Sequence, residues 1–109
     1  MNRFNSDFLK DIDLKKYKVT YDDFYIDPIR SFEQQKWSFK EDILQLEFDD
    51  YTIDVGWYPE FNPNGYFKIR VIKDYDWDNP LYNKKTHSLK TMKKYLQEAI
   101  DFTNNITMA

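Results

Sequence analysis

The sequence predicts an α+β fold: a small antiparallel β-meander with helices packed on one face. Three consecutive segments between residues 44 and 72 alternate apolar and polar side chains, which is the pattern of half-buried strands. After them, Leu89, Met92, Leu96 and Ile100 recur at helical spacing and form the apolar stripe of a C-terminal amphipathic helix. Such a stripe needs a surface to pack against, and the apolar face of the meander supplies one.

The N-terminal part of the chain predicts shorter elements. Helical spacing of four apolar residues, with Ser6 or Asp7 as an N-cap, predicts a short first helix from Phe4, Phe8, Leu9 and Ile12. Alternation through Tyr17, Val19 and Tyr21 predicts a strand before the Asp22-Asp23 turn. Pro28 suits the first position of a helix, so a short helix is expected from there to about residue 35.

The central and C-terminal elements follow from turns and caps. Alternating residues predict strands near 44–48, 53–57 and 67–71, joined by a turn at 49–50 and a Pro- and Asn-rich loop at 59–65. Trp57 is in register with the apolar positions of its strand, which places it in the core. A polar, aromatic loop over 74–80 precedes Ser88, a good N-cap. The helix is then expected to run to about Thr103 and to stop at Asn104-Asn105.

Composition narrows the range of functions. The 109 residues are expected to form one domain, 1–109, and the lack of cysteine removes disulfides, thiolate zinc sites and thiol catalysis. Only two glycines are present, which argues against a glycine-rich phosphate cradle, and no cofactor is expected. The N-terminal residues lack an apolar signal segment and no apolar run is long enough to span a bilayer, so we expect a cytoplasmic protein with no membrane partner.

The charge distribution is uneven. Residues 1–40 carry eight Lys/Arg and seven Asp/Glu, residues 41–79 carry three and ten, and residues 80–109 carry five and two. The net charge of −3 therefore conceals a centre of −7 between ends of +1 and +3. Acidic turns keep a small sheet soluble, but a focused negative potential also steers basic proteins. The same distribution argues against nucleic-acid binding, because phosphate contacts require clustered Lys and Arg.

Catalytic and metal-binding patterns are weak. His87 lies beside Thr86 and Ser88 in sequence, and Ser88 already has a structural use as a helix cap. The spacing of Asp74, Asp76 and Asp78 is that of part of a calcium loop, but the glycine at the sixth position and the glutamate at the twelfth are missing. We expect neither a catalytic centre nor a metal site. Paired carboxylates of a hydrolase acting on a sugar or phosphate remain an alternative.

Several segments between residues 37 and 103 resemble the small immunity proteins of bacterial toxin systems, including polymorphic toxins and contact-dependent growth inhibition. The likeness lies in residues 54–59, 62–63, 65–67 and 76–80, followed by the closing amphipathic helix. It implies stoichiometric, non-catalytic binding to one cognate toxin domain, commonly a nuclease with a basic cleft. A small acidic adaptor for another basic protein is the rival interpretation.

Interface hot spots favour Trp and Tyr, and an inhibitor that covers a basic cleft benefits from carboxylates around them. These two properties select one group of residues as the expected partner-binding surface: Asp54, Tyr58, Glu60, Asp74, Asp76, Trp77 and Asp78.

Overall fold

The computed structural model describes residues 9–107 and confirms the predicted α+β class. Five strands form one antiparallel sheet in the order β1-β2-β3-β4-β5, so each strand pairs with its neighbours in sequence. The strand bounds are Lys18–Asp22 (β1), Leu44–Phe48 (β2), Tyr51–Tyr58 (β3), Tyr66–Lys73 (β4) and Tyr82–Thr86 (β5). One α-helix, α1, covers Leu89–Thr107 and packs against β3, β4 and β5.

The core lies between α1 and one face of the sheet, which we call the inner face. Because side chains alternate along a strand, Ile53, Val55 and Trp57 point inward from β3, and all three are fully buried. They meet the apolar stripe predicted for α1, from which Leu96 and Ile100 are also fully buried. The outer face of the sheet carries the intervening residues and bears the candidate surface described below.

Strand β5 was not expected from the sequence. Among residues 9–107 it pairs with β4 alone, and its central residues Asn83, Lys84 and Lys85 are exposed and polar. An edge strand made of polar residues does not alternate apolar and polar side chains, so the sequence pattern used to predict the other strands does not detect it. Its place is secured by contacts with α1: the Tyr82 hydroxyl donates to the Glu98 carboxylate at 3.0 Å.

The helix begins where predicted and ends later. The backbone N–H of Thr91 donates to the Ser88 Oγ at 3.1 Å, which confirms Ser88 as the N-cap. The expected stop at 104–105 is wrong, because α1 continues to Thr107. Thr103 is fully buried and hydrogen-bonded to Tyr17, so tertiary contacts hold the last turns despite the modest helix propensity of Asn.

The short helices differ from the predictions. Most of the expected first helix lies outside the described residues, and Leu9–Asp11 forms a single 3-10 turn. The second 3-10 helix is Glu33–Ser38, so the helix expected to begin at Pro28 is wrong. The Gln35 side chain accounts for the difference: its Nε2 donates to the carbonyls of Asp27 and Arg30, and these hydrogen bonds fold 27–30 into an irregular bend.

Candidate protein-binding surface

The seven residues expected to bind a partner do not form a single site. They fall in three places: Asp54 and Trp77 lie at the middle of the outer face, Tyr58 and Glu60 at one end of the β3–β4 ladder, and Asp74, Asp76 and Asp78 in the loop that follows β4 at the other end. Each strand of that ladder has eight residues, so its ends are roughly 25 Å apart. The three places are described in turn.

Asp54 is not a surface residue, and its expected exposure is corrected by the structure. Its side chain is directly opposite Arg70 in the β3–β4 register, with 2.8 Å between Oδ2 and the Arg70 Nη2. The second oxygen, Oδ1, accepts a hydrogen bond from the Gln45 Nε2 at 3.1 Å. With these partners on both sides, Asp54 is only 1 % exposed. A charged carboxylate this buried must be hydrogen-bonded or ion-paired. Because Arg70 and Gln45 already bind both oxygens of Asp54, its side chain is not available to contact a partner protein.

Tyr58 and Trp77 complete the cluster around Arg70. The Tyr58 hydroxyl is 3.4 Å from the Arg70 Nη2, and the Trp77 ring stacks over the guanidinium, 5.3 Å from centroid to Cζ. Burial raises the pKa of Tyr58; the Arg70 charge opposes that shift, and the carboxylates of Asp54, Glu41 and Asp42 add to it. Arg70 connects three of the predicted positions, although it was not among the residues expected to bind a partner.

Three of the predicted acids, Asp74, Asp76 and Asp78, lie in the β4–β5 loop. The backbone N–H of Asp74 donates to the Asp50 carbonyl at 2.9 Å, so the β2–β3 turn and the β4–β5 loop meet at one end of the sheet. We call the five exposed aspartates there the acidic rim: Asp49, Asp50, Asp74, Asp76 and Asp78. No ion pair formed within residues 9–107 involves any of them. Lys73 and Lys16 flank the rim, over the rings of Tyr51 and Phe48.

The rim is held by an unusual backbone. Asp49, Asp74 and Tyr75 have φ values of 54°, 54° and 59°, a left-handed region that non-glycine residues rarely adopt. The Asn79 Nδ2 donates to the Asp76 carboxylate, and the Asp76 N–H donates to the Lys73 carbonyl at 3.0 Å. The loop therefore has a defined shape that presents Tyr75, 72 % exposed, among the acids.

The opposite end of the ladder contains Glu60 and two aromatic residues that sequence reasoning missed. Trp37 is 66 % exposed and packs edge-on against Phe61, with 5.2 Å between ring centroids. Trp37 lies in the 3-10 helix Glu33–Ser38 and Phe61 in the β3–β4 loop, so neither follows a strand or helix period. One sequence feature could have pointed to Trp37: it lies in a polar segment with no apolar periodicity, so its burial in the core is not expected.

The surroundings of the weak metal-binding and histidine patterns can be stated for residues 9–107. Across residues 9–107, no three His, Asp or Glu side chains are grouped closely enough to hold a metal ion, and this includes the Asp74–Asp78 loop. The His87 Nδ1 is 2.7 Å from the Gly65 carbonyl, to which it donates, and its ring packs against Phe32 and Trp57. His87 thus joins the start of α1 to the β3–β4 loop.

Comparisons with protein-family models, curated proteins and solved structures found no match to this chain. Within the described part of the chain, no helix combines the length and the apolar character needed to cross a bilayer.

Proposed function

We propose that this protein is a non-catalytic immunity protein that binds a cognate bacterial toxin domain in the cytoplasm and blocks it stoichiometrically. The single observation that carries the proposal is the acidic rim, where five exposed aspartates lie together and none is ion-paired within residues 9–107. Like charges held together raise the energy of the free protein, and a basic partner relieves that repulsion. A nuclease toxin has such a basic cleft.

The rim also has the chemistry expected of an interface. Tyr75 projects among the acids, and its loop is held by one backbone hydrogen bond to the β2–β3 turn and by others within the loop. A preordered loop loses little conformational entropy on binding, and an exposed tyrosine supplies apolar contact area. An adaptor for a different basic protein would use the same surface, so the identity of the partner separates the two interpretations.

The test uses the C-terminal domain of a large secreted protein encoded beside this gene. We expect this protein to co-purify with that domain and to restore growth to cells that express it. Replacing Asp74, Asp76 and Asp78 with Lys is expected to slow association at least tenfold at low salt, because the steering field is reversed. Failure of the wild-type protein to bind or to rescue growth would reject the proposal.

A control variant carries the same change in net charge elsewhere. Asp11, Asp13 and Asp101 are also well exposed but are not rim residues, since Asp11 pairs with Lys93 and the other two pair with Lys15. At an ionic strength of about 0.15 M, where screening limits interactions between exposed charges to roughly 8 Å, replacing these three with Lys is expected to slow association less than the rim variant does. Equal slowing by both triple variants would show that only the net charge matters.

A further inference from the structure

The Trp37–Phe61 pair has properties that the fold does not explain. Trp37 and Phe61 are 66 % and 37 % exposed, and an exposed Trp contributes little to a core. Their rings are in edge-to-face contact, at an interplanar angle of 64°. Contiguous exposed aromatic residues on a small protein are typical of interaction sites, and Trp is the residue most enriched among interface hot spots.

The pair is held rigidly from beneath. The Phe61 N–H donates to the carbonyl of Phe39 at 2.7 Å, and Phe39 is a fully buried core residue. The next residue is also bound to the core, because the Trp57 Nε1 donates to the Asn62 carbonyl at 2.7 Å. Phe61 itself has a φ of 65°, which is costly for a bulky side chain. The backbone therefore maintains a strained conformation that exposes the Phe61 ring beside Trp37.

The charges around the pair identify the kind of partner. Lys36 is paired with Glu33 at 3.4 Å and Lys40 with Asp23 at 2.6 Å. In contrast, three exposed carboxylates of this end make no ion pair within residues 9–107: Glu41, Asp42 and Glu60. Two cations offset part of this charge and leave an excess of one carboxylate: Arg30, whose guanidinium is bound to the Gln34 carbonyl, and Lys68, which lies over the Tyr58 ring.

A second copy of this chain would bring these carboxylates together and be repelled, whereas a protein with an apolar pocket bordered by Lys and Arg would be attracted. We infer that Trp37 and Phe61 form a hydrophobic anchor that inserts into a basic-rimmed apolar pocket of the partner protein. This inference rests on the proposed function, because it assigns the anchor to the same basic partner as the acidic rim. The two surfaces affect different rate constants. The acidic rim raises the association rate through its negative electrostatic potential, and the anchor lowers the dissociation rate through apolar contacts from which water is excluded.

The test measures association and dissociation rates separately, with the neighbouring gene's C-terminal domain immobilised as the probe. Trp37→Ala and Phe61→Ala are each expected to raise the dissociation rate, Trp37→Ala by about 30-fold, with association within about twofold of wild type. Phe102→Ala is the matched control, because Phe102 is also 37 % exposed but lies on α1. It is expected to leave both rates unchanged.

The possible outcomes separate the two proposals. Wild-type binding with an unchanged dissociation rate in both anchor variants overturns the anchor and leaves the proposed function standing. Absence of wild-type binding rejects the proposed function and the anchor together. Sedimentation equilibrium of the protein alone gives the remaining outcome: a dimer that Trp37→Ala abolishes would identify a second copy as the occupant and overturn the inference. Circular dichroism of each variant verifies that it is folded.

Discussion

Asp54 and Arg70 form an ion pair across β3 and β4, with 2.8 Å between the carboxylate and the guanidinium. The pair lies in the middle of the outer face, between the acidic rim and the Trp37–Phe61 anchor. It is supported on one side by Gln45 and covered on the other by the Trp77 ring. We therefore regard Asp54 as a structural residue that orders the face between the two candidate binding regions.

Removing one partner of this pair is expected to destabilise the protein. Asp54→Asn leaves the Arg70 charge without its carboxylate, and we expect the free energy of unfolding to fall by about 3 kcal/mol, since Arg70 keeps some solvent contact. Urea denaturation measures the change. The double variant Asp54→Asn with Arg70→Met is expected to lose less than the sum of the two single variants. Strict additivity would contradict a direct interaction.

Trp77 is expected to act on stability as well as on any partner. Trp77→Ala removes the ring that covers the Arg70 guanidinium, and we expect a loss of about 1–2 kcal/mol from the cation–π contact and the lost burial. Asp78→Ala, in the same exposed loop but at a position without a positive φ, is expected to change stability by less than about 0.5 kcal/mol. Thermal unfolding of both variants provides the comparison. If the Trp77→Ala variant is as stable as wild type, the stabilising role of Trp77 is contradicted and only the predicted role in partner binding is left.

Gly56 is required by a close approach of the backbone. A Cβ placed on Gly56 would overlap the carbonyl oxygen of Glu41, in the segment before β2 that is hydrogen-bonded alongside β3 through Lys40 and Ile43. Gly56→Ala is therefore expected to displace residues 40–43 and to lower the free energy of unfolding by about 3 kcal/mol. Ala99, buried on α1, offers a control: Ala99→Gly costs only the helix propensity and one methyl group, about 1–2 kcal/mol. Equal stability of Gly56→Ala and wild type would refute the contact.

Tyr17 links the N-terminal segment to α1 and is expected to make stability depend on alkaline pH. Burial raises the pKa of Tyr17 from its ordinary 10.0 to about 12, with the Thr103 hydrogen bond opposing part of the shift. The unfolded chain releases this proton near pH 10 and the folded protein holds it until about 12, so the unfolded state binds fewer protons in that window. Stability must then fall as the pH rises through the window.

Tyr17→Phe tests this link in two ways. At neutral pH it removes the 2.8 Å hydrogen bond to Thr103 and is expected to cost about 1 kcal/mol. In alkaline solution it is expected to reduce the slope of stability against pH relative to wild type. Tyr75→Phe, at an exposed position, serves as the control and should leave that slope unchanged. An identical slope in all three proteins would contradict the raised pKa.

The sequence predicted the parts of this fold that rest on periodic burial. The β2–β3–β4 meander, the core position of Trp57 and the Ser88 cap of α1 all follow from short-range patterns, and all are present. Elements without an apolar period were missed or displaced. The polar strand β5 is defined by its pairing with β4. The 3-10 helix Glu33–Ser38 is positioned by hydrogen bonds from the Gln35 side chain to the carbonyls of Asp27 and Arg30.

For the candidate surface, the sequence by itself determined that acids and aromatics are concentrated in residues 41–79, since charge and composition need no coordinates. Only the tertiary structure decided which of them reach solvent together. Alternation with the buried Ile53 and Val55 puts Asp54 on the outer face, but its burial there depends on Gln45 and Arg70 from neighbouring strands. The meeting of the β2–β3 turn with the β4–β5 loop, and of Trp37 with Phe61, likewise depends on contacts between segments distant in sequence, which local patterns cannot encode.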